Sequence, residues 1–249
     1  MHRPYTRIVK NAETAVLFIH GIVSTPQVFD PLLPQVPPDC SLMCLLLAGH
    51  GGTARDFAHG SMALWQLQVD SAVTYLASNH RKVVVAGHSM GALLALDAAL
   101  RRPACVTSLL LMDTPLRIRV TPLAVVNSLH LALGLPFPDN PAFLAARAGF
   151  GVTPSRDPLT YLTWLPRYAE LFRLSRRLRP RLSSLQVTCV ALQSGQDEMV
   201  SPASAALLRA CPRCRVSVLP DATHFRYGPG GDAQIAAALR ALLTHEESA

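Results

Sequence analysis

The 249 residues are half hydrophobic, only 16% charged and of mean hydropathy +0.26, enough apolar surface for one large domain or two small ones and too much for general disorder. The formal charge of +7 is concentrated: residues 115–185 hold ten Arg and no Lys against Asp139, Asp157 and Glu170, while the rest balances 11 Arg and 2 Lys against 13 acids. That distribution excludes a general nucleic-acid-binding surface and marks one basic segment, and the absence of any repeat excludes coiled-coil, collagen-like and mucin-like chains.

The first fifteen residues carry Arg3, Arg7, Lys10 and Glu13 where a secretory signal needs an apolar core, so a cytoplasmic location is expected. Short apolar runs then alternate with helical patterns. Strands are predicted over 15–20, 42–47, 83–87, 108–113, 187–193 and 215–219. A helix is predicted over 61–78, with Met62, Trp65, Val69, Ala72, Val73 and Leu76 on one face, and two more over 90–100 and 232–243. This order predicts an α/β fold, a mostly parallel central sheet of about six to eight strands flanked by helices. The unbroken runs Val83-Val84-Val85 and Leu109-Leu110-Leu111 suit strands buried on both faces.

The alternation breaks between 115 and 185, where nine prolines and short helical pieces such as 159–178 replace it. The expected organisation is a core of 1–114 and 186–249 with a Pro- and Arg-rich helical cap of 115–185 inserted after the strand ending near Asp113. Such an insertion would cover the C-terminal edge of the sheet, where parallel sheets keep their sites. The uncharged stretch 120–138 is long enough to span a bilayer, but Pro122, Asn127, Ser128, His130, Gly134 and Pro136 make it an amphipathic part of a soluble fold.

Gly87-His88-Ser89-Met90-Gly91 is a G-x-S-x-G sequence that ends a predicted strand and opens a predicted helix, the setting a nucleophile elbow requires. A serine at its ordinary pKa needs a base and an orienting acid, which follow in the order acid, then His. Asp197 lies just past the strand 187–193, and His224 follows the strand 215–219, so both reach the edge that carries Ser89. His224 would move the proton and Asp197 would fix its tautomer. Asp113, at a strand end, is the alternative acid. Glu198 is expected to point elsewhere, Asp221 to brace the histidine loop, His20 to brace its own loop, and His245 to be solvated. The N–H groups of Met90 and Ile22 are the expected oxyanion donors. Gly21, His88, Val200 and Phe225, on the same loops, are the expected substrate contacts.

Six cysteines suit a reducing compartment, and Cys211-Pro-Arg-Cys214 lacks the second ligand pair of a zinc site, so a structural role is expected. Neither a metal nor an organic cofactor is expected.

From 15 to 243 the chain resembles the α/β-hydrolase superfamily of the carboxylesterase and monoacylglycerol-lipase type. The resemblance rests on His20-Gly21-Ile22, Gly49-His50-Gly51, Gly87-His88-Ser89-Met90-Gly91, Asp197-Glu198-Met199-Val200 and His224. It implies a serine ester hydrolase with a triad of Ser89, Asp197 and His224 and a covalent acyl-enzyme. The implied substrates are short- to medium-chain acyl or monoacylglycerol-type esters. A thioesterase or amidase using the same triad, or a ligand receptor on the same fold, is the alternative. Two features depart from the family: Ala48 where a proline is common, and too little chain before Ala15 for the usual leading hairpin.

The expected partner is a small-molecule ester, with no nucleic acid and no stable membrane insertion. Leu123, Val125, Val126, Leu129, Leu131, Leu133, Leu135 and Phe137, with Phe143, Phe150, Trp164, Leu165, Tyr168 and Phe172, could line an acyl or aromatic pocket, but most of them are expected to hold the cap to the core. Arg167, Arg173, Arg176, Arg177, Arg179 and Arg181 read as a solvated helix face with at most weak contact to anionic surfaces.

Overall fold

The computed structural model describes residues 2–119, 121–135 and 141–244. In chain order these form β1 (Tyr5–Arg7), β2 (Thr14–Ile19), β3 (Ser41–Leu45), α1 (Ala54–Ala58), α2 (Met62–Asn79), β4 (Lys82–His88), α3 (Met90–Arg101) and β5 (Ser108–Met112). There follow α4 (Pro122–Leu133), α5 (Pro141–Ala148), α6 (Leu165–Leu178), β6 (Thr188–Ser194), α7 (Ala203–Arg209), β7 (Cys214–Leu219) and α8 (Gly228–Thr244). 3₁₀ helices precede α6 at Pro158–Trp164 and follow it at Arg179–Ser184.

The sheet has seven strands in the order β1-β3-β2-β4-β5-β6-β7, with β1 antiparallel to β3 and every other pairing parallel. This is the mostly parallel α/β sheet of about six to eight strands that the strand–helix alternation predicted, with the short β1 added at its edge. The strands bury alternate residues on opposite faces, as a period of two requires. Leu17, Val85, Leu109 and Leu111 pack with α2, α3 and α6, whereas Phe18, Val84, Leu110 and Met112 pack with Phe29 and α8.

Several boundaries differ from the predicted ones for local reasons. The strand predicted to include Asp113 stops at Met112, because Asp113 adopts φ +48, outside the β region. The helix predicted over 159–178 is two elements: Pro166 lies in the first turn of α6, where its missing N–H leaves no vacancy, so the 3₁₀ helix ends and the α-helix begins there. Helix α8 starts four residues before the predicted 232, with Pro229 in its first turn. Within the uncharged stretch, α4 is capped by the Thr121 hydroxyl at one end and by Gly134 at φ +63 at the other. Residues 120 and 136–138 of that stretch lie outside the described residues.

Of the residues expected to hold the segment between β5 and β6 to the core, Phe143 and Trp164 are buried as expected, most of the aliphatic ones are not, and Phe137 lies outside the described residues. Leu123, Val125, Val126, Leu129, Leu133 and Leu135 are all exposed, and the attachment runs through Phe143, Trp164, Leu171 and Leu174, which are buried. Nor is the arginine run a uniform solvated face. Arg177 pairs with the buried Asp97 at 3.0 Å, and Arg167 with Glu170 at 3.0 Å. Arg179 donates to Leu116 O and Arg181 to Leu100 O. Backbone bonds tie the segment to the core loops as well: Gly51 N–H to Gly151 O (2.6 Å), Gly151 N–H to Val23 O (2.8 Å), Thr153 N–H to Gly52 O (2.8 Å) and Ala54 N–H to Thr153 O (3.1 Å).

All six cysteines are free, and Cys214 sits 3.2 Å from Cys189 across the β6–β7 ladder rather than pairing with Cys211. Among the described residues no helix is long and apolar enough to cross a membrane.

Candidate active site

The ladder brings the C-terminal ends of four strands level. Ile19 pairs with Gly87, His88 with Met112, and Met112 with Leu192, so the residues that follow each strand emerge at one edge. Ser89 is the turn between β4 and α3. Its φ of +55 is rare for a residue with a Cβ and costs about 1–3 kcal/mol, a strain held by the surroundings. Its N–H donates to Met112 O at 2.9 Å, and its carbonyl accepts the first helical bond, from Ala92. The flanking glycines are required by space. A Cβ on Gly91 would lie 1.9 Å from Ile19 O, and one on Gly87 would lie 2.4 Å from Gly91 O.

His224, in the loop after β7, places Nε2 3.0 Å from Ser89 Oγ and Nδ1 2.7 Å from Asp197 Oδ2. Asp197, in the loop after β6, turns its other oxygen to the N–H groups of Met199 and Val200 at 2.7 and 2.8 Å. Burial alone would raise the Asp197 pKa, but the charge and hydrogen bond of His224 and those two N–H groups outweigh it and hold the carboxyl below its ordinary value. An ionised carboxylate can only accept, so His224 Nδ1 carries a proton, and when the ring is neutral its Nε2 accepts from the Ser89 hydroxyl. Burial disfavours the imidazolium, yet the carboxylates of Asp197, Asp113 and Glu198 outweigh that and push His224 up to about 9.

The backbone of His224 is pinned on both sides. Glu198 Oε2 accepts its N–H at 3.3 Å, and His88 Nε2 donates to its carbonyl at 2.9 Å. Glu198 therefore does not point elsewhere as expected. It turns back toward the histidine loop, a role that adjacency to Asp197 concealed. Asp221 does not brace that loop. It is exposed, and among the described residues its side chain makes no bond. The brace is instead a bridge between Thr223 and Arg226 together with Ser194 Oγ, which donates to Thr223 O at 3.0 Å.

Asp113 does not orient His224. Its carboxylate receives the Ser194 N–H (2.6 Å), the Ser194 hydroxyl (3.1 Å) and the Tyr227 hydroxyl (2.8 Å). Complete burial and the nearby charge of Asp197 push its pKa up to about 7. His88 stays neutral, pushed down to about 3 by burial and the charge of His224. Ligand atoms of His88, Asp113 and His224 lie within 4.8 Å of one another. A cation does not fit them, because both His224 nitrogens, His88 Nε2 and the Asp113 oxygens are already engaged by protein partners.

The loop after β2 lies against the elbow: a Cβ on Gly21 would sit 3.1 Å from Ser89 Cβ. Ile22 is buried there, and Met90, the first residue of α3, has an N–H that no helical carbonyl can reach. His20 braces this loop, as expected, accepting the Leu47 N–H at 3.1 Å, and His50 accepts the Val23 N–H at 3.1 Å. Burial lowers the pKa of both rings, His50 to about 4. Val200 is buried in the acid loop, where its N–H serves Asp197. His88 and Phe225 pack against His224 with ring centroids 4.9 Å away and line a cavity of about 540 Å³ between α5, the Pro26–Phe29 turn and the start of α8. His245 lies outside the described residues.

The sequence pattern of the Alpha/beta hydrolase family matches residues 16–238. A stretch of 100 residues is 35% identical to a pimeloyl-[acyl-carrier protein] methyl ester esterase from Aromatoleum aromaticum, covering 40% of this chain but only 36% of that protein. A 2-(acetamidomethylene)succinate hydrolase from Mesorhizobium japonicum is 25% identical over 233 residues, 87% of this chain and 83% of the relative. Among solved structures, that of the metagenome-derived lipolytic enzymes LipS and LipT superposes with a TM-score of 0.73 at 19% identity over 96% of each chain, a likeness of fold alone. With the elbow strand, the parallel ladder and a match across nearly its whole length, the chain belongs to the alpha/beta hydrolase family.

Proposed function

We propose that the protein is a serine ester hydrolase acting through Ser89, His224 and Asp197. The observation that carries this reading is the unbroken chain from Ser89 Oγ to His224 Nε2 at 3.0 Å and from Nδ1 to Asp197 at 2.7 Å, on three loops at one sheet edge. His224 takes the serine proton as Oγ attacks the ester carbonyl, and Asp197 stabilises the resulting imidazolium. The imidazolium then protonates the departing alkoxide, leaving an acyl-serine that water, activated by the same histidine, hydrolyses. The N–H groups of Ile22 and Met90 receive the developing oxyanion, each worth about 3 kcal/mol of barrier in such sites. Residues 115–185 act as the cap over this edge, and their arginines hold it to the core. Ester chemistry is favoured by the methyl ester esterase and lipolytic activities named for two of the similar proteins.

The test is hydrolysis of p-nitrophenyl esters from acetate to palmitate beside matched thioesters and anilides. Turnover is expected on short and medium esters and should fall with longer acyl chains. A folded protein that turns over thioesters or anilides and no ester would overturn the ester reading.

The buried Asp113 gives a pH test of the same site. Its ionised carboxylate raises the His224 pKa, so Asp113→Asn lowers it. The base must be neutral to act, so kcat/KM climbs as pH rises through that pKa. In Asp113→Asn the climb is therefore expected at lower pH than in wild type. A climb at unchanged or higher pH would show that Asp113 does not bear on the base.

A further inference from the structure

Eleven of the seventeen large hydrophobic residues exposed among the described residues lie between 121 and 178, on the inserted segment. Some of them stand in a line. The 3₁₀ helix Pro158–Trp164 repeats every three residues, which puts Leu159, Leu162 and Leu165 along one edge. Helix α6 carries that edge onward: Phe172 lies two turns beyond Leu165, Arg176 three turns beyond, and Arg173 flanks them. The opposite face of α6 buries Leu171, Leu174, Ser175 and Leu178 against the core, so the line faces outward. Leu159, Leu162, Leu165 and Phe172 are 68, 60, 61 and 43% exposed. Unlike Arg167, Arg177, Arg179 and Arg181, which are bonded inward, Arg173 and Arg176 have no acidic partner among the described residues.

We propose that this ridge seats the protein on an anionic lipid interface. A basic amphipathic helix with large apolar side chains beside unpaired arginines combines burial in the acyl boundary with attraction to headgroup phosphates. The ridge is roughly 28 Å long and about 10 Å wide from the helical rises and diameter, some 300 Å². A stable protein partner needs about 800 Å² per side with a polar rim, so the ridge is too narrow for one, whereas a lipid surface requires no matching shape. The seating does not depend on turnover.

The experiment is co-sedimentation of the whole protein with phosphatidylcholine vesicles, with and without phosphatidylglycerol, at low and high salt. The wild type and Ser89→Ala are expected to bind the anionic vesicles alike, which separates this result from any failure of the hydrolase reading. Leu162→Ser with Leu165→Ser should bind at least about tenfold more weakly to both vesicles. Arg173→Gln with Arg176→Gln should lose about twentyfold on anionic vesicles only, together with most of the salt dependence. The substituted side chains are exposed, and unchanged melting of both variants would confirm folding. No vesicle binding by the wild type, or equal binding by the leucine variant, would overturn the proposal. So would ridge-dependent binding to polyglutamate without vesicle binding, which would assign the ridge to an acidic protein.

Discussion

Ser89→Ala is expected to lower ester turnover by about 10⁵-fold or more while leaving the fold intact. The expectation of an intact fold follows from the backbone. Alanine also has a Cβ, so the strain at φ +55 is the same in both proteins, and the Ser89 N–H and carbonyl keep their bonds to Met112 and Ala92. The side-chain bond lost is the one to His224 Nε2 at 3.0 Å. Melting should therefore shift by less than about 1 kcal/mol equivalent, and any residual rate would come from the oxyanion donors and substrate binding. Kinetics of p-nitrophenyl butyrate hydrolysis, with calorimetry on the same samples, check both halves. Turnover within tenfold of wild type by a folded Ser89→Ala protein would remove the serine from the mechanism.

Asp197→Asn should cost about 10⁴-fold in kcat, and the structure gives the reason. Oδ1 of Asp197 accepts two N–H groups, from Met199 and Val200. In the asparagine variant only the carbonyl oxygen can satisfy those donors, so the amide NH₂ must occupy the Oδ2 position facing His224 Nδ1. That donor forces the histidine proton onto Nε2, which can then no longer accept from Ser89. KM should change far less than kcat, because the acid's side chain bonds the histidine and the N–H groups of its own loop. A loss of tenfold or less would mean that Asp113 takes over the orientation of His224.

The sheet was legible because its strands are buried on both faces, so Val83-Val84-Val85 and Leu109-Leu110-Leu111 stand out with no polar interruption. Strand β1 was not legible: three half-exposed residues at an edge leave no periodic trace, and only the ladder with Leu42, Met43 and Cys44 defines them. Ser89, Asp197 and His224 could be named in advance because chain order and strand ends carry the signal. The residues that support them could not, because their partners are distant in sequence. Tyr227 reaches Asp113 across 114 residues and His88 reaches His224 across 136, contacts that no local pattern encodes. The arginine run misled for a related reason. Composition shows how many charges a helix bears but not that Arg177 ends on the buried Asp97 while Arg173 ends in solvent.

The backbone bonds that tie Gly151 and Thr153 to Val23, Gly51, Gly52 and Ala54 bear on how such enzymes can be recombined. A crossover at the ends of β5 and β6 would bring in a foreign segment without the glycine that fits against Ser24 O, where a Cβ on Gly151 would come within 1.9 Å. The groups left without partners would include the Gly51 and Ala54 N–H groups of the loop after β3 and the Val23 carbonyl of the loop that carries Ile22. The exchangeable module in this chain is therefore the inserted segment together with the loops after β2 and β3, so chimeras should inherit all three from one parent.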